Sequence, residues 1–212
     1  MSRTTICNSY PYRIFSALRD CKYWALRGFA APSPHFIKQS CLVRNGYPDA
    51  IWVETGSYLG QTTKVLSKIG TKVFSIEPEP TLFENVKKYF ANTKNIYILK
   101  GTSESVLKLL LPSIRGDINF WLDGHYSAGI SFKGTSVTPI LDELKCISQN
   151  IRNFNKICVL IDDIRCFNPH QPEYCTYPAV DVLVAWANQH NLAWHIEHDI
   201  FVAKTKTTEQ LL

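Results

Sequence analysis

The residues of this 212-residue chain that could take part in chemistry fall into five short polar clusters. Each cluster follows a run of apolar residues, and the clusters occupy residues 54–60, 77–78, 101–104, 123–125 and 162–163. Carboxylates can bind ribose hydroxyls or a cation, glycines let a ligand approach the backbone, and a histidine can accept a proton near neutral pH. These residue types suggest a site that binds a polar ligand and moves a proton.

The apolar runs that precede the clusters have the length and composition of buried strands. We predict strands over residues 50–54, 72–76, 95–99, 118–122 and 157–161, with a closing pair over 194–196 and 200–203. We predict amphipathic helices over residues 62–69, 81–90, 104–111, 140–151 and 180–190. This alternation indicates an α/β fold with a doubly wound, mostly parallel sheet. Ligands of such sheets bind outside the carboxyl ends of the strands, which is where all five clusters lie.

The first cluster is a glycine-containing turn between a strand and a helix, with Gly56 and Gly60 as its glycines. It is not a G-x-G-x-x-G fingerprint, because Tyr58 occupies the place of the middle glycine, and this disfavours a dinucleotide site. Glu77 ends the second predicted strand, where a carboxylate can accept both hydroxyls of a ribose. Alternatively, Glu77 is a solvated residue before a proline turn.

In their order along the chain, these motifs resemble those of class I S-adenosylmethionine-dependent methyltransferases. The resemblance covers residues 49–203 and rests on Glu-Thr-Gly-Ser-Tyr-Leu-Gly at 54–60, Glu77, Gly-Thr-Ser-Glu at 101–104 and Asp-Gly-His-Tyr-Ser at 123–127. It implies a Rossmann-like methyltransferase domain over residues 49–212. It also implies an S-adenosyl-L-methionine site formed by Glu54, Gly56, Ser57, Tyr58, Gly60, Thr62, Glu77, Pro78, Thr102, Ser103, Glu104 and Asp123.

The same resemblance implies a role for each part of that site. Residues 54–60 would line the methionine part of the cofactor, Glu77 would hold the ribose, and residues 102–104 would lie beside the adenine. Asp123 would lie under the reacting sulfonium. An acidic floor suits this cofactor, which carries a sulfonium and an ammonium and has no pyrophosphate.

A narrower resemblance concerns the aspartates that end the fourth and fifth predicted strands. Their pattern is similar to that of the magnesium-dependent macrocin-type sugar O-methyltransferases, and it implies that Asp123, Asp162 and Asp163 bind Mg²⁺. Three carboxylates are a reasonable partial shell for this cation, which keeps water or substrate oxygens as its other ligands. Alternatively, Asp162 caps the following segment and Asp163 pairs with Arg165.

His125 and Asp123 are the candidate catalytic residues. His125 comes three residues after the end of the fourth predicted strand and could accept a hydroxyl proton as a methyl group is transferred. A packing or hydrogen-bonding role for this histidine is the alternative. Tyr174 and Tyr177 could form the wall of an acceptor pocket or simply pack in the core. We therefore expect O-methylation of a hydroxyl of a sugar, a glycan or a small molecule.

The positive charge of the chain is concentrated in its first 48 residues. They carry seven basic residues and one acid, a net charge of +6, whereas the remaining 16 basic and 17 acidic residues leave residues 49–212 at −1. We predict a basic, aromatic N-terminal arm over residues 1–48, with a helix from 11 to 28. The arm could pack on the domain, cover the active site or bind an anionic membrane surface. The charge of the arm suggests an anionic or lipid-linked acceptor. The net charge of −1 on residues 49–212 argues against a nucleic-acid acceptor.

Several other classes of protein fit the sequence less well. A nicotinamide-dependent oxidoreductase would share the sheet, but the chain lacks G-x-G-x-x-G and any Tyr-x-x-x-Lys pair. A non-catalytic binding protein would have little use for carboxylates at three strand ends. Seven cysteines without a C-x-x-C pair, no secretory signal and no apolar run of about 18 residues suggest a cytoplasmic protein without a transmembrane helix. A homodimer is an open expectation.

Overall fold

One seven-stranded sheet organises the computed structural model, which describes residues 10–124 and 138–206. The strands are β1 (Ile51–Thr55), β2 (Lys72–Glu77), β3 (Ile96–Lys100), β4 (Gly116–Leu122), β5 (Phe154–Ile161), β6 (Leu192–Glu197) and β7 (Ile200–Thr205). Their order across the sheet is β3-β2-β1-β4-β5-β7-β6. Strands β1 to β5 are parallel, and β7 runs antiparallel to both of its neighbours. The predicted doubly wound, mostly parallel sheet is confirmed.

Helices cover both faces of this sheet. They are α1 (Tyr10–Leu26), α2 (His35–Asn45), α3 (Gln61–Ile69), α4 (Pro80–Tyr89), α5 (Ser103–Leu110), α6 (Ile140–Asn150) and α7 (Val180–Gln189). Successive strand residues point to opposite faces, so Trp52 belongs to the core under α2, α3 and α4, and Val53 to the core under α5, α6 and α7. Burial on both faces explains why the strands are almost entirely apolar.

Helix α2 was not among the predicted elements. Its buried side consists of Lys38, Cys41 and Leu42, so it offers only a short apolar stripe for a sequence pattern to detect. Cys41 and Leu42 are completely buried and pack in the same core as Trp52 and Leu66. The predicted arm helix over residues 11–28 corresponds to α1. Within residues 10–124 and 138–206, no helix is long and apolar enough to cross a membrane.

Backbone hydrogen bonds hold the carboxyl ends of the five parallel strands side by side. The amide of Ser57 donates to the carbonyl of Ile76 at 3.1 Å, and that of Gly101 donates to Glu77 at 3.2 Å. In the other direction across the sheet, the amide of Asp123 donates to the carbonyl of Thr55 at 3.2 Å. Asp162 likewise donates to Leu122 at 3.1 Å. The five polar clusters of the sequence are therefore adjacent, at the edge where the strand order reverses between β1 and β4.

Candidate functional site

The turn between β1 and α3 is shaped by two glycines with positive φ angles. Gly56 has φ +86°, and a Cβ atom there would lie 2.6 Å from the carbonyl oxygen of Asp123. Gly60 has φ +73° and immediately precedes α3. Tyr58, which is half exposed, also has a positive φ angle of 47°. The turn thus lies directly against the residue that follows β4. Position 56 requires glycine because a side chain there would collide with the backbone of Asp123.

Glu54 lies beneath this turn and is almost fully buried. Its Oε2 accepts hydrogen bonds from Thr63 Oγ1 at 2.6 Å and from Ser75 Oγ at 2.5 Å. Ser75 is also 2.5 Å from the hydroxyl of Ser57, in the turn. Burial raises the pKa of Glu54 to about 7, although the two hydroxyl donors oppose that shift. Oε1 of Glu54 is buried and has no hydrogen-bond partner among the described residues.

Glu77 ends β2 and is held by backbone amides. Its Oε2 accepts a hydrogen bond from the amide of Tyr58 at 2.8 Å, and its Oε1 accepts one from the amide of Glu79 at 3.0 Å. Burial nevertheless raises the pKa of Glu77 above its usual value. The carboxylate is fixed against the β1–α3 turn, and each of its oxygens retains acceptor capacity for a further hydroxyl. Pro78, which follows it, is half-buried.

The start of α5 lies next to Glu77 because of the Gly101–Glu77 backbone hydrogen bond. Thr102 is the residue before the helix, and its hydroxyl donates to Ser105 Oγ at 3.0 Å. Ser103 is buried and Glu104 is half-buried. The sequence-predicted residues at 102–104 are therefore brought beside Glu77.

Thr62, another predicted cofactor residue, contacts the N-terminal part of the chain. Its hydroxyl lies 3.1 Å from Nε2 of His35, the first residue of α2. Burial, followed by the nearby ammonium of Lys38, lowers the pKa of His35. The lowered pKa favours the neutral form of this histidine, whose contact with Thr62 ties α2 to the first turn of α3.

A small cavity lies between the ends of β4 and β5. Its described lining residues are Leu122, Gly124, Thr138, Pro139, Ile140, Glu143, Ile161, Asp162, Phe167 and Tyr177. Tyr177 packs against Phe167 and Tyr174 at centroid distances of 5.5 and 6.0 Å, so it contributes to both the cavity wall and the core. Asp123 lies at the same edge. His125 falls outside the described residues, as does the rest of 125–137, and its assignment stays a prediction.

Two aspartates of the predicted magnesium site, Asp162 and Asp163, form ion pairs with a lysine. The ammonium of Lys38 lies 2.6 Å from Asp162 Oδ1 and 2.7 Å from Asp163 Oδ1, and all three residues are buried. Within the described part of the chain, no group of three or more His, Cys, Asp and Glu side chains is arranged to hold a metal ion. The prediction that Asp123, Asp162 and Asp163 bind Mg²⁺ is therefore not supported, because a lysine supplies the positive charge between the two aspartates.

The alternative expectation for Asp163 agrees with the structure. Arg165 Nη1 lies 2.6 Å from Asp163 Oδ1 and also pairs with Asp199. The backbone amide of Asp163 donates a hydrogen bond to Asp162 Oδ1 at 2.7 Å. The carboxylate of Asp162 thus binds the first amide of the following segment as well as Lys38. Desolvation and the Asp163 charge raise the pKa of Asp162 to about 6 despite the lysine.

Sequence reasoning missed two groups of residues at this site. Lys38 and His35 come from α2, and Thr63 and Ser75 hold Glu54 from α3 and β2. The spacing of Lys38, Cys41 and Leu42 is a weak helical pattern, and it is the sequence signal that could have indicated α2. The hydroxyls of Thr63 and Ser75 lack a sequence signature, because their partner is distant along the chain.

No protein-family model and no curated protein matches the chain. Among solved structures, SMU.1697c from Streptococcus mutans, solved in complex with SAH, aligns with a TM-score of 0.51 and 13% identity over 82% of this chain and 98% of that chain. The 23S rRNA methyltransferase ErmE aligns with a TM-score of 0.51 and 13% identity over 82% of this chain and 69% of that chain. YcgJ from Bacillus subtilis gives 0.50 and 10% identity over 76% of this chain and 70% of that chain. At such low sequence identities these structural alignments establish the fold alone. The protein therefore has the Rossmann-like α/β methyltransferase fold.

Proposed function

We propose that the protein is an S-adenosyl-L-methionine-dependent methyltransferase of class I that methylates a hydroxyl oxygen of a sugar, a glycan or a small molecule. The observation that carries this proposal is that Glu54, Glu77 and Asp123 lie at the carboxyl ends of three adjacent parallel strands, with Asp123 directly after β4. The shared fold of SMU.1697c, which was solved with SAH, supports it.

The chemistry of these residues fits S-adenosylmethionine. Glu54 carries a buried carboxylate oxygen without a partner among the described residues, and leaving such a group unsatisfied costs about 1–3 kcal/mol. A cationic ligand group such as an ammonium would offset that cost. Glu77 is held at the end of β2 by two backbone amides, in the position where a carboxylate accepts ribose hydroxyls. We assign residues 102–104 to the adenine.

When bound, the cofactor supplies an electrophilic methyl group, and the chain must align the acceptor and remove one proton. We assign the acceptor to the region outside the ends of β4 and β5, beside Asp123, where Asp162 and Tyr177 both lie. We assign the removal of the hydroxyl proton to His125, three residues after the end of β4, and the floor of the reacting centre to Asp123. An oxygen acceptor needs such a base, because a neutral hydroxyl is a weak nucleophile.

Nucleic acid is the competing class of acceptor, since ErmE acts on 23S rRNA. The charge of the body opposes it, because residues 49–212 have a net charge of −1 and nucleic-acid binding relies on clustered Lys and Arg. A glycan or small-molecule acceptor requires no such surface.

Calorimetry with S-adenosylhomocysteine and NAD, titrated separately into the full chain, tests the cofactor class. We expect saturable binding of S-adenosylhomocysteine and no binding of NAD. Failure to bind S-adenosylhomocysteine at millimolar concentration would reject the proposal, and tight NAD binding would favour an oxidoreductase. Transfer of a labelled methyl group to sugars and to RNA, compared side by side, then distinguishes the two classes of acceptor.

A further inference from the structure

Helix α1 exposes a large apolar face that nothing in the described structure covers. Ile14, Phe15, Leu18 and Leu26 are between 44% and 71% exposed. At about 100° per residue they fall within one sector of about 120°, the width of the apolar stripe of an amphipathic helix. Phe29, just beyond the helix, is also exposed.

The opposite side of α1 faces the body of the protein. Trp24 packs edge-on against His198 at a centroid distance of 5.9 Å and against Phe29 at 5.1 Å. Asp20, on that same side, is half-buried. The exposed apolar face is thus directed away from the sheet, and an apolar area of this kind on a protein surface marks an interaction site.

The charges around the apolar face are positive. Lys22 lies within the sector at about 80° from Ile14, and Arg19 lies at its edge. Both are exposed, and Arg19 pairs with Asp20 at 3.0 Å. Asp20 is the only acidic residue of α1, and it lies on the opposite side of the helix. The face therefore combines aliphatic and aromatic side chains with cationic ones.

We propose that this face of α1 binds the surface of an anionic membrane, with Phe15, Leu18 and Leu26 inserted at the level of the headgroups. An interfacial helix has this composition: a bulky apolar face with lysine and arginine along its border. The inference does not depend on the proposed function. If both hold, the enzyme works where a lipid-linked acceptor is present.

Two other occupants fit the face less well. A second copy of the chain packed on this face would bury Lys22 at the interface without an acidic residue on the face to compensate its charge. A nucleic acid would pair with the cations but would leave Ile14, Leu18 and Leu26 without apolar contacts. An anionic bilayer satisfies the charges and the apolar side chains together.

Flotation of the full chain with lipid vesicles tests the proposal. We expect binding to vesicles of phosphatidylcholine mixed with phosphatidylglycerol, weak binding to phosphatidylcholine alone, and release at high salt. The variant Phe15→Gln/Leu18→Gln should weaken binding by at least about tenfold, because it removes two of the apolar side chains that would be inserted at the level of the headgroups. Leu109→Gln/Leu141→Gln removes two exposed leucines on other helices and should bind as the wild type does.

Three results would overturn the proposal. One is the absence of binding to anionic vesicles, or equal binding to neutral ones. Another is a wild-type dimer in solution that the Phe15→Gln/Leu18→Gln variant converts to a monomer. The third is binding of an RNA oligonucleotide that Lys22→Gln weakens while vesicles bind no protein. All the substituted side chains are exposed, so an unchanged melting temperature verifies that each variant is folded.

Discussion

The ammonium of Lys38 lies 2.6 Å from a carboxylate oxygen of Asp162, which joins helix α2 to the end of β5. Both side chains are buried, and the neighbouring carboxylate of Asp163 is 2.7 Å from the same ammonium. These carboxylates raise the pKa of Lys38 even though burial opposes that shift. The raised pKa favours the charged form of the lysine, whose ion pairs fix the N-terminal part of the chain to the carboxyl end of β5.

Replacement of Lys38 by methionine should destabilise the protein by about 3–5 kcal/mol, because it leaves the buried charge of Asp162 without its cation. Chemical denaturation of the variant and the wild type measures the difference. Lys68→Met, at an exposed position in α3, serves as the control and should change stability by less than about 0.5 kcal/mol. The double variant Lys38→Met/Asp162→Asn should recover part of the loss. No recovery would mean that the lysine contributes through packing alone.

Mg²⁺ should not raise the melting temperature of the wild-type protein, because the ammonium of Lys38 already lies between Asp162 and Asp163. In Lys38→Ala the two carboxylates have lost that cation, and added Mg²⁺ should raise the melting temperature of this variant. Thermal denaturation with Mg²⁺ or with EDTA measures both effects. A magnesium-dependent rise in the wild type would contradict the assignment.

The contribution of Glu54 to the free energy of unfolding should fall as the pH rises from about 4.5 to about 7. Burial raises the pKa of this carboxyl from 4.5 to about 7. Between those values the folded state binds more protons than the unfolded state, so each step up in pH favours unfolding. In Glu54→Gln this contribution is absent. Plots of the free energy of unfolding against pH, obtained by chemical denaturation, should therefore differ in slope between the wild type and the variant within that pH window alone. Parallel profiles would show that the carboxyl titrates normally.

Gly56→Ala should cost more stability than Gly28→Ala, although both glycines have positive φ angles of +86° and +64°. The added methyl group meets nothing within 4 Å at Gly28, whereas at Gly56 it would lie 2.6 Å from the Asp123 carbonyl oxygen. Backbone strain of about 1 kcal/mol applies to both variants, and overpacking adds about 1–3 kcal/mol at Gly56 alone. Denaturation of the two variants measures the difference. Equal losses would mean that the β1–α3 turn moves away from β4 at little cost.

Glu77→Gln should weaken the binding of S-adenosylhomocysteine by about tenfold or more, because hydrogen bonds to a charged acceptor contribute about 1.5–3 kcal/mol. Calorimetry provides the measurement. Glu84→Gln, an exposed position on α4, should leave the affinity unchanged. If Glu77→Gln binds as tightly as the wild type, the ribose does not contact this residue.

The order of elements in the body was predictable because each strand is buried on both faces. Five continuous apolar runs and the helices between them leave few alternatives to a parallel sheet. The sites of Glu54, Glu77 and Asp123 followed from the same pattern, since residues at the carboxyl ends of adjacent parallel strands must be neighbours. Helix α2 escaped prediction, because one of its three buried side chains is a lysine.

The sequence by itself determined the sheet, the end of the sheet at which the polar residues lie and the identity of the carboxylates there. It could not determine the partners of those carboxylates. Asp162 and Asp163 looked like ligands for Mg²⁺, and only the tertiary structure decided that Lys38, 124 residues before Asp162 in the printed sequence, supplies their positive charge. Strand and helix formation depend on local periodicity, whereas pairing of buried charges depends on which distant side chain the packing of a helix brings within hydrogen-bond distance.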